Sequence, residues 1–180
     1  MKNMNNTNAN ANTANVSPIS ISYDRDFMDE KNIVQRYWGE NLFFYARPDT
    51  ANMLRYLMGE TGLDCKTVAS ELLIQAAKIC NLTWDGEPSE YYAAPTAKEP
   101  PVMTHPITLH RVANPAPATD WPVTEFYKGM PCDSKVYLTA DAFRGAEMIG
   151  IFSGKRCASD VADELIRQAS AICEIVDDDD

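Results

Sequence analysis

The pattern of apolar positions recurs along this chain. Residues 68–80 read VASELLIQAAKIC and residues 161–173 read VADELIRQASAIC. In the first, Val68, Leu72 and Ile79 share a helical face, with Ala69, Leu73, Ala76 and Cys80 beside them. Val161, Leu165 and Ile172, flanked by Ala162, Ile166, Ala169 and Cys173, repeat the arrangement. Eight of the thirteen positions are identical, where ordinary composition gives about one. The chain therefore carries an internal duplication. Asp64 is placed to cap the first helix, and Cys157 or Ser159 lies near the start of the second.

The likeness extends upstream when one extra residue is allowed in the loop of the first copy. Leu54, Leu57 and Met58 then match Met148, Ile151 and Phe152, predicting a shorter helix in each copy. These helices stop at Gly59 to Gly62 and at Ser153-Gly154. Before them lie two short runs of β-forming residues, Leu42 to Arg47 and Val136 to Asp141. Alternation predicts that Leu42, Phe44, Ala46, Val136, Leu138 and Ala140 face a core. Phe43, Tyr45, Arg47, Lys135, Tyr137 and Thr139 then face outward.

One strand and two helices, about forty residues, bury too little surface to fold alone. Two such units solve the problem by pairing their strands antiparallel over a core closed by four helices. The expected fold is α+β and mostly helical: two ribbon-helix-helix half-units, 41–80 and 134–173, fused as an intramolecular pseudo-dimer with a two-stranded ribbon. The β-ribbon proteins MetJ and Arc build this arrangement from two chains and insert the ribbon into the DNA major groove. Residues 1–22, rich in Asn, Thr and Ala, are expected to be a disordered tail. Residues 81–133 form a Pro-rich connector with one short strand at 107–112, and 174–180 an acidic tail.

Charge changes the picture. The net charge is −10, an unusual balance for a protein that neutralises phosphates. Yet the half-units are neutral, with four basic and four acidic residues in the first and five of each in the second. The acidity belongs to the flanks and connector. A neutral unit can still present a basic ribbon, so the outward set Phe43, Tyr45, Arg47, Lys135, Tyr137 and Thr139 is the candidate base-reading face. The N-termini of the longer helices, with Lys66 and Thr67 in one copy and Lys155, Arg156 and Ser159 in the other, are candidate phosphate contacts.

Other chemistry finds little footing. The sequence shows no nucleotide-binding, nucleophile-elbow or metalloprotease motif, so no catalytic residue is assigned and the protein is not expected to be an enzyme. Five cysteines without a CxxC pair, and two histidines, His105 and His110, point to neither a disulfide framework nor a metal site, and no cofactor is expected. The chain shows no secretory signal and no membrane span, so a cytoplasmic, monomeric protein is expected.

The strand LFFYARP (Leu42 to Pro48), the two half-units joined by a long Pro-containing connector, and SEYYAAPTAKEPP after the first long helix together resemble a known group. They are similar to the single-chain double ribbon-helix-helix proteins of agrobacterial VirC operons, over roughly residues 41–173. The resemblance implies a double-stranded DNA-binding accessory factor of conjugative or T-DNA-type transfer, working beside relaxase or ParA-like partners. Two alternatives stay open: a protein-binding adapter of the same fold, and a ribbon-helix-helix transcriptional repressor.

Overall fold

The computed structural model describes residues 19–22, 42–84, 87–88, 107–113, 115, 122, 126–127, 130–131, 133–153 and 158–177. Among these residues the fold is α+β, with four helices and a two-stranded antiparallel sheet of β-strands from the two repeats. Strand β1 (Ser20–Ser22) comes first. Strand β2 (Phe43–Ala46) follows, then helices α1 (Pro48–Thr61) and α2 (Cys65–Ile79) and strands β3 (Asn81–Trp84), β4 (Glu87–Pro88) and β5 (Thr108–Arg111). A short hairpin, β6 (Phe126–Tyr127) and β7 (Met130–Pro131), precedes β8 (Ser134–Tyr137). Helices α3 (Ala140–Phe152) and α4 (Ala158–Ile172) and strand β9 (Glu174–Asp177) complete the order.

The helices form where caps and apolar spacing coincide. Pro48 opens α1, where its missing N–H leaves no bond unmade. Gly62 closes it at φ 72°, returning its N–H to Met58 O as an αL cap. A Cβ at Gly62 would also lie 2.5 Å from Pro115 Cβ, so glycine is needed there for space as well as for φ. Asp64 caps α2, its carboxylate accepting from Thr67 N at 2.8 Å. The longer helices form the middle of the core: Val68, Leu72, Leu73 and Ala76 of α2, with Val161, Leu165, Ile166 and Ala169 of α4, are fully buried. Phe44 and Val136 cover them from the β2–β8 ribbon, and each such side chain withdrawn from water contributes about 1.5–3 kcal/mol.

Ribbon register pairs Phe43 with Tyr137, Phe44 with Val136, Tyr45 with Lys135 and Ala46 with Ser134. The second strand therefore begins earlier than alternation alone predicts. Ala140, expected to face inward from a strand, is exposed and is the first residue of α3. The shorter helices also correspond differently. Thr50, Leu54, Leu57, Met58 and Thr61 are the buried stripe of α1, and its counterpart in α3 is Ala142, Ala146, Ile149, Gly150 and Ser153. Met148, matched by sequence to Leu54, is instead 42% exposed. The extra loop residue thus belongs to the second copy, and the apparent stripe Met148, Ile151 and Phe152 sits two positions too late.

The flanking segments do more than expected. Residues 19–22, assigned by composition to the tail, supply β1, with Ile19 and Ile21 buried; their alternation was hidden by the Asn-rich residues before them. Residues 174–177, assigned to an acidic tail, form β9, because Ile175 and Val176 supply β-formers between the acids. The connector contains β3, β4, β5, β6 and β7, of which β5 lies close to the strand expected at 107–112. The pairing repeats: β1 runs parallel to β3 and β5 parallel to β9. Asn81 N donates to Ile19 O (3.1 Å) as Glu174 N donates to Ile107 O (2.8 Å).

Candidate nucleic-acid interface

The outward face of the ribbon is built by alternation. With Phe44, Ala46, Val136 and Leu138 buried, Phe43, Tyr45, Lys135 and Tyr137 are turned away from the core. Tyr45 is 51% and Tyr137 46% exposed, large values for aromatic side chains on a sheet. The group is ordered by its own contacts. Phe43 meets Tyr45 edge-on at 5.5 Å between centroids and Tyr137 at 6.3 Å. Lys135 Nζ lies 4.0 Å from the Phe43 centroid and 5.1 Å from that of Tyr137, within cation–π range. The result is an aromatic patch of edge-on rings with one ammonium held against it.

Two residues expected on that face sit elsewhere. Arg47 precedes α1, and its guanidinium turns to α4, with Nε 2.5 Å from the buried Asp163 Oδ2 and Nη2 3.4 Å from Glu164 Oε2. Its backbone N–H also donates to Asp163 Oδ1 (2.9 Å). Hydrogen bonding and charge attraction to Asp163 raise the Arg47 pKa above its usual value. Burial alone would push the Glu164 carboxyl up. Hydrogen bonds from Gln168 and Arg167, with the charges of Arg167 and Arg47, outweigh it and bring the net shift below the ordinary range. Thr139 is exposed at the start of α3, where its hydroxyl accepts weakly from Ala142 N (3.4 Å). Its own N–H donates to Ser70 Oγ of α2 (3.0 Å). The chain turns into a helix at both positions, two residues past the last outward strand site.

The helix N-termini are also more committed than composition implies. Thr67 Oγ1 donates to Asp64 Oδ2 (2.8 Å), so a carboxylate already occupies the start of α2. Lys66 is exposed in that first turn. Ser159 Oγ, in the first turn of α4, accepts from Tyr45 N (2.8 Å) and ties the helix to the edge of β2. Lys155 and Arg156 lie outside the described residues.

Four side chains that sequence reasoning did not single out tie the helices to the ends of the ribbon and to the outer strands β1 and β5. Asp163 and Ser70, at matching positions of α4 and α2, each accept the N–H of the residue that opens the other unit's first helix. Gln168 takes both backbone groups of Ser20, and Gln75 both of Thr108, at 2.7–3.1 Å. Their signal was present, since the glutamines are among the identities of the repeat and the Ser/Asp pair is one of its differences. Cys65 and Cys80 are buried thiols without disulfides, and burial pushes Cys80 up to about 12. Cys132 and Cys157 lie outside the described residues. Among the described residues no cluster of potential metal ligands occurs, and no helix is long and apolar enough to cross a membrane. Comparison with protein-family models, curated proteins and solved structures gives no match.

Proposed function

We propose that the chain is a pair of ribbon-helix-helix half-units fused in one polypeptide, and that it binds double-stranded DNA through the outward face of β2 and β8. The observation that carries this reading is the antiparallel ribbon itself, whose outward side offers Tyr45, Tyr137 and Lys135 around Phe43. A two-stranded ribbon fits the major groove; lysine there donates to guanine acceptors and aromatic rings pack on thymine methyls. The crossed hydrogen bonds from Arg47 and Thr139 to Asp163 and Ser70 support the pseudo-dimer, since each unit uses the other to seat its first helix. With its resemblance to VirC-operon proteins, the reading extends to an accessory role in conjugative or T-DNA-type transfer, in the bacterial cytoplasm, beside a relaxase.

Arg47 is withdrawn from the proposed reading face by its carboxylate partners, which leaves Lys135 as the central cation. That favours few phosphate and base contacts and a shallow salt dependence. It is also the observation behind a second reading, a protein-binding adapter that uses the same aromatic patch. Titration of mixed duplex DNA by fluorescence anisotropy, from 50 to 200 mM salt, separates the two. DNA binding predicts micromolar affinity at low salt that weakens as salt rises, and a loss of about tenfold in Lys135→Ala and in Tyr45→Ala/Tyr137→Ala. Unchanged circular dichroism would accompany these losses. No binding at low salt sinks the DNA reading and leaves the adapter.

A further inference from the structure

The two outer sheets answer one another except along one edge. Strand β3 carries β1 on one side and β4 on the other, with Trp84 opposite Glu87 and Thr83 opposite Pro88. Strand β9 carries β5 where β3 carries β1, in the same parallel sense and after the equivalent helix. Among the described residues, no strand pairs with the other edge of β9. Glu174 turns its N–H toward β5, donating to Ile107. Parallel strands alternate, so Ile175 and Asp177 present their N–H and C=O groups to the open edge. Asp177 there stands where Trp84 stands in the first unit, the position that receives β4. The chain itself thus shows what fits this edge: a short antiparallel strand.

A groove adjoins the edge. It has a volume of about 420 Å³ and is lined by Met53, Tyr56 and Leu57 of α1, Ser170 and Cys173 at the end of α4, and Ile175 of β9. At the matching place in the other unit the helices approach closely: a Cβ added to Gly145 of α3, which matches Met53, would lie 3.2 Å from Ala77 Cβ of α2. Tyr56 stands 66% exposed at the groove. The edge is also acidic: Glu174 and Asp177 are exposed, Arg111 of β5 pairs with Asp177 Oδ1 at 2.9 Å, and three more aspartates follow in sequence.

We propose that the open edge of β9 and this groove form a docking site for an extended, basic peptide segment of a partner protein. The segment adds antiparallel to β9 and seats an apolar side chain between α1 and α4. Main-chain bonds to Ile175 and Asp177 supply register, the groove supplies selectivity for an apolar residue, and the acidic edge supplies the charge preference. The surface is distinct from the ribbon and does not depend on what the ribbon binds.

The test uses the full chain and two labelled peptides, one alternating lysine with valine and one alternating glutamate with valine, followed by anisotropy. The lysine peptide is expected to bind and the glutamate peptide not. Asp177→Pro, which removes an outward N–H at a position where an edge strand tolerates proline, and Tyr56→Lys are each expected to weaken binding about tenfold. Amide exchange gives a readout that needs no variant: the lysine peptide should protect Ile175 and Asp177. Equal binding of the two peptides, binding that neither substitution weakens, or unprotected amides at saturation overturns the proposal. So does a dimer in solution that Asp177→Pro converts to monomer, since a second copy then owns the edge.

Discussion

Arg47 illustrates how a residue chosen for one role can be claimed by another. Seen in the strand, it is an outward cation; in the fold, it neutralises a carboxylate that is only 5% exposed. Asp163→Ala removes the acceptor of Arg47 N as well as the partner of its guanidinium, and is expected to cost about 2–4 kcal/mol. Arg47→Ala leaves its own backbone N–H bonded to Asp163 and should cost less, about 1–2 kcal/mol, because half of the Arg47 side chain is already in water. Urea unfolding of the two variants checks the order; a larger loss in Arg47→Ala would contradict it. Glu164 gives the arrangement a pH signature. Its folded pKa lies below the unfolded value, near 4.5. The carboxylate therefore adds stability that is present above that value and lost as pH falls through the lower, folded one. Unfolding free energy should decline as pH is lowered from about 5, and Glu164→Gln should flatten that decline.

Between elements, the glutamine bonds are the most selective ties. Gln75, on α2 of the first unit, holds β5 of the second, and Gln168, on α4 of the second, holds β1 of the first. Gln168→Leu should raise amide exchange in residues 19–22, and Gln75→Leu in residues 107–111, each with about 1–3 kcal/mol of lost stability from the backbone groups left unpaired. Exchange that rises beside the mutated helix instead would show that the tie is not the crossed one. These elements also show what could be seen in the sequence. Helices α2 and α4 were plain, because eight identities on a 3.6-residue period leave little choice. The ribbon strands were legible from Phe44 and Val136, although the second was placed late. Strands β1 and β9 were not, because three or four residues carry too little periodicity, and Asn-rich or acidic neighbours dominate any window around them. The correspondence of Pro18-Ile19-Ser20-Ile21 with Pro106-Ile107-Thr108-Leu109 was there to find, but its weight comes only from the matching pairings to β3 and β9. Arg47's partners lay beyond reach, since more than a hundred residues separate them in the chain.

At the scale of the molecule, the duplication is larger than two strand–helix–helix units. Each copy also brings a leading strand and a trailing strand, and the copies differ where they meet the outside. Phe43 of the first corresponds to Lys135 of the second on the ribbon, Met53 to Gly145 at the groove, and among the described residues only β3 has a second neighbour strand. The acidic balance of the chain fits this division: charge gathers around β9 and in the connector, while the ribbon keeps its one central ammonium. One further property follows from Asp163 and Ser70 occupying matching positions. Were two first units to associate, each Arg47 would meet Ser70 in place of Asp163 and keep only a glutamate, Glu71, where Glu164 now stands. Were two second units to do so, each would enclose an aspartate against Thr139 with no cation to answer it. Only the unlike combination balances. A single divergent position therefore makes the two crossed contacts unlike in charge, an arginine answering the aspartate on one side and a threonine meeting the serine on the other.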